Sequence, residues 1–279
     1  MQLWENNPHV SVLSQKIYRS VKMCYGRMLN AARTNSRHHF ITAWHENFAD
    51  QTGIKVTPQL PKPDLHLSDK EKKHPVVSGK YWLILSGGKS DFTTKHYVAA
   101  RFQEVVHSLR GYGLQFVQAG NASDKHPVLD GCVNLVGKTS LRQFLNLIYH
   151  SQGVICTITA AMHAAAAFDK PCVVTAGGRE EWWWEGYTNT GKQFGPIASG
   201  QVKVPHRFLH TIGLLSCCYN RGCWKNKTSR QERDDKKSYC VLPVVSGNEQ
   251  IVPKCMDMIT TENIIEAVMS YYTEGLLEL

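Results

Sequence analysis

No stretch of the chain approaches the ~20 consecutive apolar residues that a membrane-spanning helix requires. The opening residues MQLWENNPHV carry no basic region followed by an apolar one, so they do not read as a secretory signal. A soluble cytoplasmic protein is the expectation. Compact CxxC pairs are missing, which sets aside an ordinary zinc ribbon. No internal repeat and no low-complexity tract is visible, so solenoids are excluded.

What is present is a 279-residue chain with an apolar fraction of 42%, enough for one large domain or two modest ones. Lys and Arg number 32 against 23 Asp and Glu, a net charge of +9. Such a surface suits an anionic partner: nucleic acid, a membrane face or a phosphorylated small molecule. Cys24, Cys132, Cys156 and Cys172 are scattered, and the last three sit in strand-like apolar runs, where thiols act as buried hydrophobes. Cys217, Cys218, Cys223, Cys240 and Cys255 crowd into one region, which argues for a metal before disulfides.

Four segments follow from pattern. Residues 1–70 contain FITAWHENFADQTG, a helix with Phe40, Ile41, Trp44 and Phe48 on one side and Gly53 as its stop. Ile54–Val56 reads as a short strand, and QLPKPDL as a linker. In LSDKEKK, Ser68 and Glu71 have capping-box spacing. From 71 to 205, short apolar runs (YWLILS, LQFVQ, CVNLV, GVICT, PCVVTA) alternate with amphipathic stretches. One of these, SLRQFLNLIYH, places Leu141, Phe144, Leu145 and Ile148 on one face. That alternation predicts a parallel sheet covered on both faces, a doubly wound α/β domain. Residues 206–257 hold the cysteines and a polar insert, NKTSRQERDDKKS, and 258–279 form a closing helix capped by Thr260 or Thr261, with Ile264, Ile265 and Val268 inward.

The segment ICTITAAMHAAAAFDKPCVV carries the functional argument. In a parallel sheet, ligands sit beyond the carboxyl ends of the strands. A helix starting near Ala160, after Thr157–Thr159, would aim its unpaired N–H groups and positive dipole end into that crevice. This is a ready site for a diphosphate. Alanines let the helix lie close to the sheet, and His163 in its first turn is placed to reach a phosphate or sugar hydroxyl, or else to be a buried helix residue. A second basic element, SGGKSDFTTKHY, follows the strand at 81–86. Gly87 and Gly88 would let backbone approach a ligand; Lys89 and Lys95 would neutralise phosphate; Ser90, Thr93 and Thr94 would donate hydrogen bonds. It is not the GxxxxGK[ST] cradle, because the spacing is wrong.

The run KHY…VQAG…LVGKTSLRQFLNLI…GVICTITAAMHAAAAFDKPCVV resembles the C-terminal domain of glycosyltransferase family 9, the ADP-heptose:lipopolysaccharide heptosyltransferases. The resemblance covers about residues 80–180. It implies a GT-B-like α/β fold, with one complete doubly wound Rossmann-like donor domain and, in residues 1–70, a partial acceptor-side domain. It also implies inverting transfer from a nucleotide-diphosphate sugar without a metal in the chemistry. Carried over residue by residue, Lys95, Thr93 and Thr94 match donor-phosphate contacts, and Thr159, Ala160, Ala161, Met162 and His163 match the diphosphate-binding turn. Ser86, Gly87, Gly88 and Lys89 join them as a loop. Where similar enzymes have Asp-Thr-Gly, this chain has Ile158-Thr159-Ala160, which puts heptose itself in doubt. The family's base-bearing loop finds no counterpart before WENNPH, so a fragment, a shortened relative or a protein that borrows the missing half is expected, and no catalytic base is assigned.

In GGREEWWWEGY, three tryptophans beside Arg179 and Glu180 would either shape a nucleoside or sugar pocket or form an apolar plug between domains. Cys218, Cys223, Cys240 and Cys255, with Cys217 able to replace Cys218, resemble the iron-binding finger of bacterial autotransporter heptosyltransferases, implying a structural iron or zinc held by four cysteines. Two other functions compete with transfer to a glycan, lipopolysaccharide or protein hydroxyl. One is a non-catalytic nucleotide-sugar-binding module; the other is a nucleic-acid binder using the basic insert and CWKNK. The oligomeric state stays open.

Overall fold

The computed structural model describes residues 2–10, 21–23, 25–26, 39–56, 62–187, 203–229, 238–247 and 249–279. The five apolar runs and a sixth, more polar segment form one parallel sheet: β1 (Trp82–Ile84), β2 (Phe116–Gln118), β3 (Cys132–Asn134), β4 (Gly153–Thr157), β5 (Cys172–Gly177) and β6 (Arg207–His210). Their spatial order is β3-β2-β1-β4-β5-β6. Because successive strand residues point to opposite faces, each strand feeds two cores. Leu83, Val117, Val154, Cys156 and Val174 enter one. Trp82, Ile84, Phe116, Ile155 and Val173 enter the other. That is why the strands read as unbroken apolar runs rather than alternating ones.

Helices α1 (Phe40–Thr52), α2 (Asp69–Lys73), α3 (Ala99–Arg110), α4 (Leu141–His150), α5 (Ala160–Ala167) and α6 (Thr261–Thr273) surround the sheet. The first core takes Leu145, Leu147 and Ile148 of α4 and the alanines of α5. The second takes Phe102, Val105, Val106 and Leu109 of α3 with Ile264, Val268 and Tyr271 of α6. The capping boxes are formed as spaced: Ser68 with Glu71, Ser140 with Gln143, and Thr260 with Asn263. Gly53 closes α1 in the left-handed region, φ 74°. A two-stranded antiparallel sheet, β7 (Pro243–Ser246) with β8 (Gln250–Pro253), lies outside the main one. Among the described residues no helix is long and apolar enough to cross a membrane.

Several expectations change. Ile54–Val56 is not a strand; Ile54 and Val56 are exposed, and among the described residues the segment pairs with no strand. In α4, Leu141 is exposed and Leu147 takes its inward place, because Leu145, Leu147 and Ile148 together face the sheet. The doubly wound unit runs past residue 205. β6 pairs with β5, and the Tyr271 hydroxyl of α6 donates to Pro205 O at 2.8 Å. Residues 57–61 of the linker and 230–237 of the polar insert lie outside the described residues.

The amino-terminal residues are tied to the sheet domain by charge and by rings. Arg142 of α4 donates from Nε and one terminal nitrogen to the Glu71 carboxylate, at 2.8 and 2.6 Å, and to His66 O at 2.9 Å. This guanidinium pulls the Glu71 carboxyl down to about 2. Phe40 and Trp44 of α1 pack on the buried Trp184.

Candidate functional site

The strand order reverses between β1 and β4, and a cleft of about 680 Å³ opens over the carboxyl ends of β3, β2, β1 and β4. Its walls include Gly87, Gly88, Lys89 and Lys95 after β1, and Thr157, Ile158, Thr159, Ala160 and Ala161 after β4. The two elements singled out from the sequence therefore face one space.

The start of α5 has the features of an anion site. Thr159, its N-cap residue, is extended and makes no capping bond, and its buried Oγ1 finds no partner among the described residues. Met162 N–H closes onto Thr159 O at 3.2 Å. Ala160 and Ala161 thus present first-turn N–H groups at the cleft wall, where a phosphate oxygen would complete them.

The loop after β1 uses its residues differently from expectation. A Cβ on Gly87 would lie 1.5 Å from Lys125 O, so this glycine is what admits the close approach of the 120–126 loop. At Gly88 a Cβ would meet nothing closer than the His96 ring, 3.9 Å away, so this is the glycine that leaves room at the cleft. Nε2–H of His96 donates to Gly88 O and Lys89 O, at 3.2 and 3.1 Å, and fixes the bend. Ser86 is buried, donating to Pro127 O at 2.8 Å. Thr94 donates to Lys225 O at 2.6 Å, and Thr93 Oγ1 accepts from Thr228 N–H at 2.9 Å. Ser86, Thr93 and Thr94 therefore brace the loop; their hydroxyls are engaged by backbone outside the cleft.

Lys95 reaches the cleft wall with its side chain 21% exposed. Its ammonium lies 3.0 Å from Glu180, whose carboxylate also meets Arg179. Burial, helped by the nearby Arg179 charge, brings the Lys95 ammonium down to about 8, while Glu185 opposes the shift. Arg179 and Glu180 stand behind Lys95 and do not line the cleft. Arg179 donates to Lys225 O at 2.6 Å and to Asn226 Oδ1 at 2.7 Å.

Met162 is fully buried in the first core. His163 is hydrogen-bonded through Nδ1 to the Tyr187 hydroxyl at 2.8 Å, with Phe40 edge-on at 5.2 Å between centroids. Burial lowers its pKa. Neither lines the cleft, because positions 162 and 163 of a helix turn away from the axis end that 160 and 161 present. None of the three tryptophans lines the cleft, so neither a nucleoside pocket nor a cleft-side plug is formed by them there. Trp184 is buried against Ala43.

Sequence reasoning missed the other half of the cleft: Gly120, Asn121, Asp124 and His126 after β2, and Gly137, Thr139, Ser140 and Phe144 around the start of α4. One signal was present, since SLRQ has capping-box spacing and marks a second helix start at the same sheet edge.

Cys217, Cys223, Cys240 and Cys255 line one small void beside Thr94 and Arg179. Cys218 is turned aside, its Sγ 3.5 Å from Thr211 O, which favours Cys217 in its place. Burial raises these thiols, Cys255 to about 12. Among the described residues no three His, Cys, Asp or Glu side chains stand in metal-holding geometry. The donor set has the chemistry of a structural thiolate site but not, as placed, its closure.

The family model for glycosyltransferase family 9 (heptosyltransferase) matches residues 19–200. The chain belongs to glycosyltransferase family 9. Its α/β fold is of GT-B type. TibC, an iron-containing dodecameric glycosyltransferase from enterotoxigenic E. coli H10407, is 16% identical with a TM-score of 0.55 over 92% of this chain and 59% of its own. A family 9 glycosyl transferase from Veillonella parvula DSM 2008 is 13% identical with a TM-score of 0.51 over 85% of this chain and 61% of its own. The family 9 chain described here thus spans about three-fifths of the length of these solved structures. No curated protein matches it.

Proposed function

We propose that this chain holds the nucleotide-diphosphate sugar of an inverting glycosyl transfer. The observation that carries the reading is the pairing of Lys95 and Lys89 with the open first turn of α5 across the β1–β4 switch point. A diphosphate seated there meets backbone N–H groups on one side and ammonium charge on the other. As the sugar–oxygen bond breaks, negative charge grows on the departing diphosphate, and these preplaced donors stabilise it. The nucleoside extends over the loop that follows β2, where Gly120, Asn121, Asp124 and His126 line the cleft and Asp124 offers a carboxylate to ribose hydroxyls. The acceptor hydroxyl belongs to a glycan, a lipopolysaccharide core sugar or a protein.

The second reading is a donor-binding module that holds the nucleotide sugar without turning it over. The thiol cluster is read as a structural iron or zinc site, in keeping with the iron of TibC. An assembly of several copies, as in TibC, is compatible with either reading.

The test is a titration of the chain with nucleoside diphosphates and their sugars, beside Lys95→Ala, followed by a turnover assay. Diphosphate binding should weaken at least about tenfold in the variant, the loss of one charge-assisted contact. Equal affinity in the two proteins would remove the pocket. Binding without turnover would select the module.

A further inference from the structure

Lys95 is not presented to the cleft as a free cation. Its ammonium is held 3.0 Å from Glu180 Oε1, and Arg179 meets the same oxygen. Glu180 is 3% exposed, and its Oε2 has no partner among the described residues. Both cations lie against the Phe92 ring, Lys95 Nζ at 5.6 Å and the Arg179 guanidinium carbon at 5.1 Å. Also facing Lys95 are Glu185 from the tryptophan turn, Asp91 from its own loop and His163 from α5.

The two cations differ in how they are fixed. Arg179 is anchored on Lys225 O and Asn226 Oδ1. Lys95 ends a flexible four-carbon stem at the cleft wall, and an ammonium is a point charge that can be re-aimed. A buried carboxylate stripped of every cation is strongly destabilised. Lys95 can therefore turn to an incoming anion only because Arg179 stays behind.

We propose that Glu180 is a positioning residue for Lys95: it shares its carboxylate between Arg179 and Lys95, parks the ammonium at the cleft wall, and releases it to the donor diphosphate while Arg179 keeps the carboxylate paired. This rests on the donor-site reading above. It assigns Glu180 and Arg179 to the control of the lysine and not to contact with the sugar or the base.

The experiment titrates the full chain with ADP, and with pyrophosphate as a base-free probe, from pH 6.5 to 9.5. Wild type is compared with E180Q, K95A and the double variant. Wild-type affinity should fall as pH rises through about 8, where Lys95 loses its proton. At pH 6.5, E180Q should bind about fivefold tighter, because the ammonium is no longer shared. Its fall should begin at lower pH, because the carboxylate no longer steadies the charge. In the K95A background E180Q should change affinity less than about twofold and the alkaline fall should vanish. An E180Q protein with unchanged affinity and pH profile, or one whose effect persists without Lys95, overturns the sharing while leaving the pocket standing. A wild type that binds neither probe, or K95A binding like wild type, overturns the pocket itself. Should E180Q not fold, E180D, which keeps the charge and shortens its reach, must shift affinity in the same direction; no shift sinks the proposal.

Discussion

His163 Nδ1 lies 2.8 Å from the Tyr187 hydroxyl, and that bond turns the imidazole away from the cleft onto which its own helix opens. The histidine joins α5 to the residue that ends the tryptophan turn, and so holds the helix start where the cleft needs it. Tyr187→Phe should then cost about 1 kcal/mol of stability, one buried hydrogen bond, and leave diphosphate affinity within about twofold. Urea unfolding and titration read the two separately. A tenfold loss of affinity with normal stability would return His163 to the ligand.

Buried histidines set an acid limit on the fold. His39 and His206 are buried, and burial brings each down to about 3; His163 is lowered as well. A histidine kept neutral when folded takes up a proton when unfolded below pH ~6.5. The unfolded state then binds more protons, so stability is full above that pH and is lost as pH falls toward the folded value. At pH 5 each of His39 and His206 should account for about 2 kcal/mol of that loss. His206→Gln should flatten the drop between pH 7 and 5 by that amount; a parallel drop in both proteins contradicts it.

The two glycines after β1 should separate by substitution. Gly87→Ala drives a methyl into Lys125 O and should cost about 2 kcal/mol or more. Gly88→Ala meets only the His96 ring, at an ordinary contact distance of 3.9 Å, and should stay within about 0.5 kcal/mol of wild type, while narrowing the cleft and weakening diphosphate binding. Thermal unfolding of the two variants checks the first claim and titration the second. Equal destabilisation would mean that the 120–126 loop does not approach as closely as described.

Elemental analysis of the purified chain should find about one iron or zinc per molecule, and Cys240→Ser should lose it. Because Thr94 and Arg179 share that void with the thiols, chelation should also loosen the Lys95 loop and weaken diphosphate binding. A chain without metal and with unchanged stability would leave the five cysteines as plain free thiols.

The sheet was readable because a strand buried on both faces is apolar at nearly every position, and YWLILS, GVICT and PCVVTA carry only Ser86, Thr157 and Thr175 as polar side chains. The short helices at Ser68, Ser140 and Thr260 declare their starts through reciprocal caps, a local bond that needs nothing distant. Ile54–Val56 has strand composition but pairs with no strand among the described residues, and a strand without a neighbour to pair with does not form.

By itself, then, the sequence determined the alternation of strands and helices and the two ends, Gly87–Lys95 and Thr157–Ala161, that meet in the cleft. Both follow from local chemistry: apolar periodicity, glycine, caps and an uncapped helix start. Tertiary structure alone decided which polar groups are left to act. Thr93, Thr94 and Ser86 look like phosphate ligands until Lys225, Thr228 and Pro127 engage them. Lys95 looks like a free cation until Glu180 is found beside it. The number of bonds a side chain has left over depends on residues far away along the chain, and no local pattern encodes that.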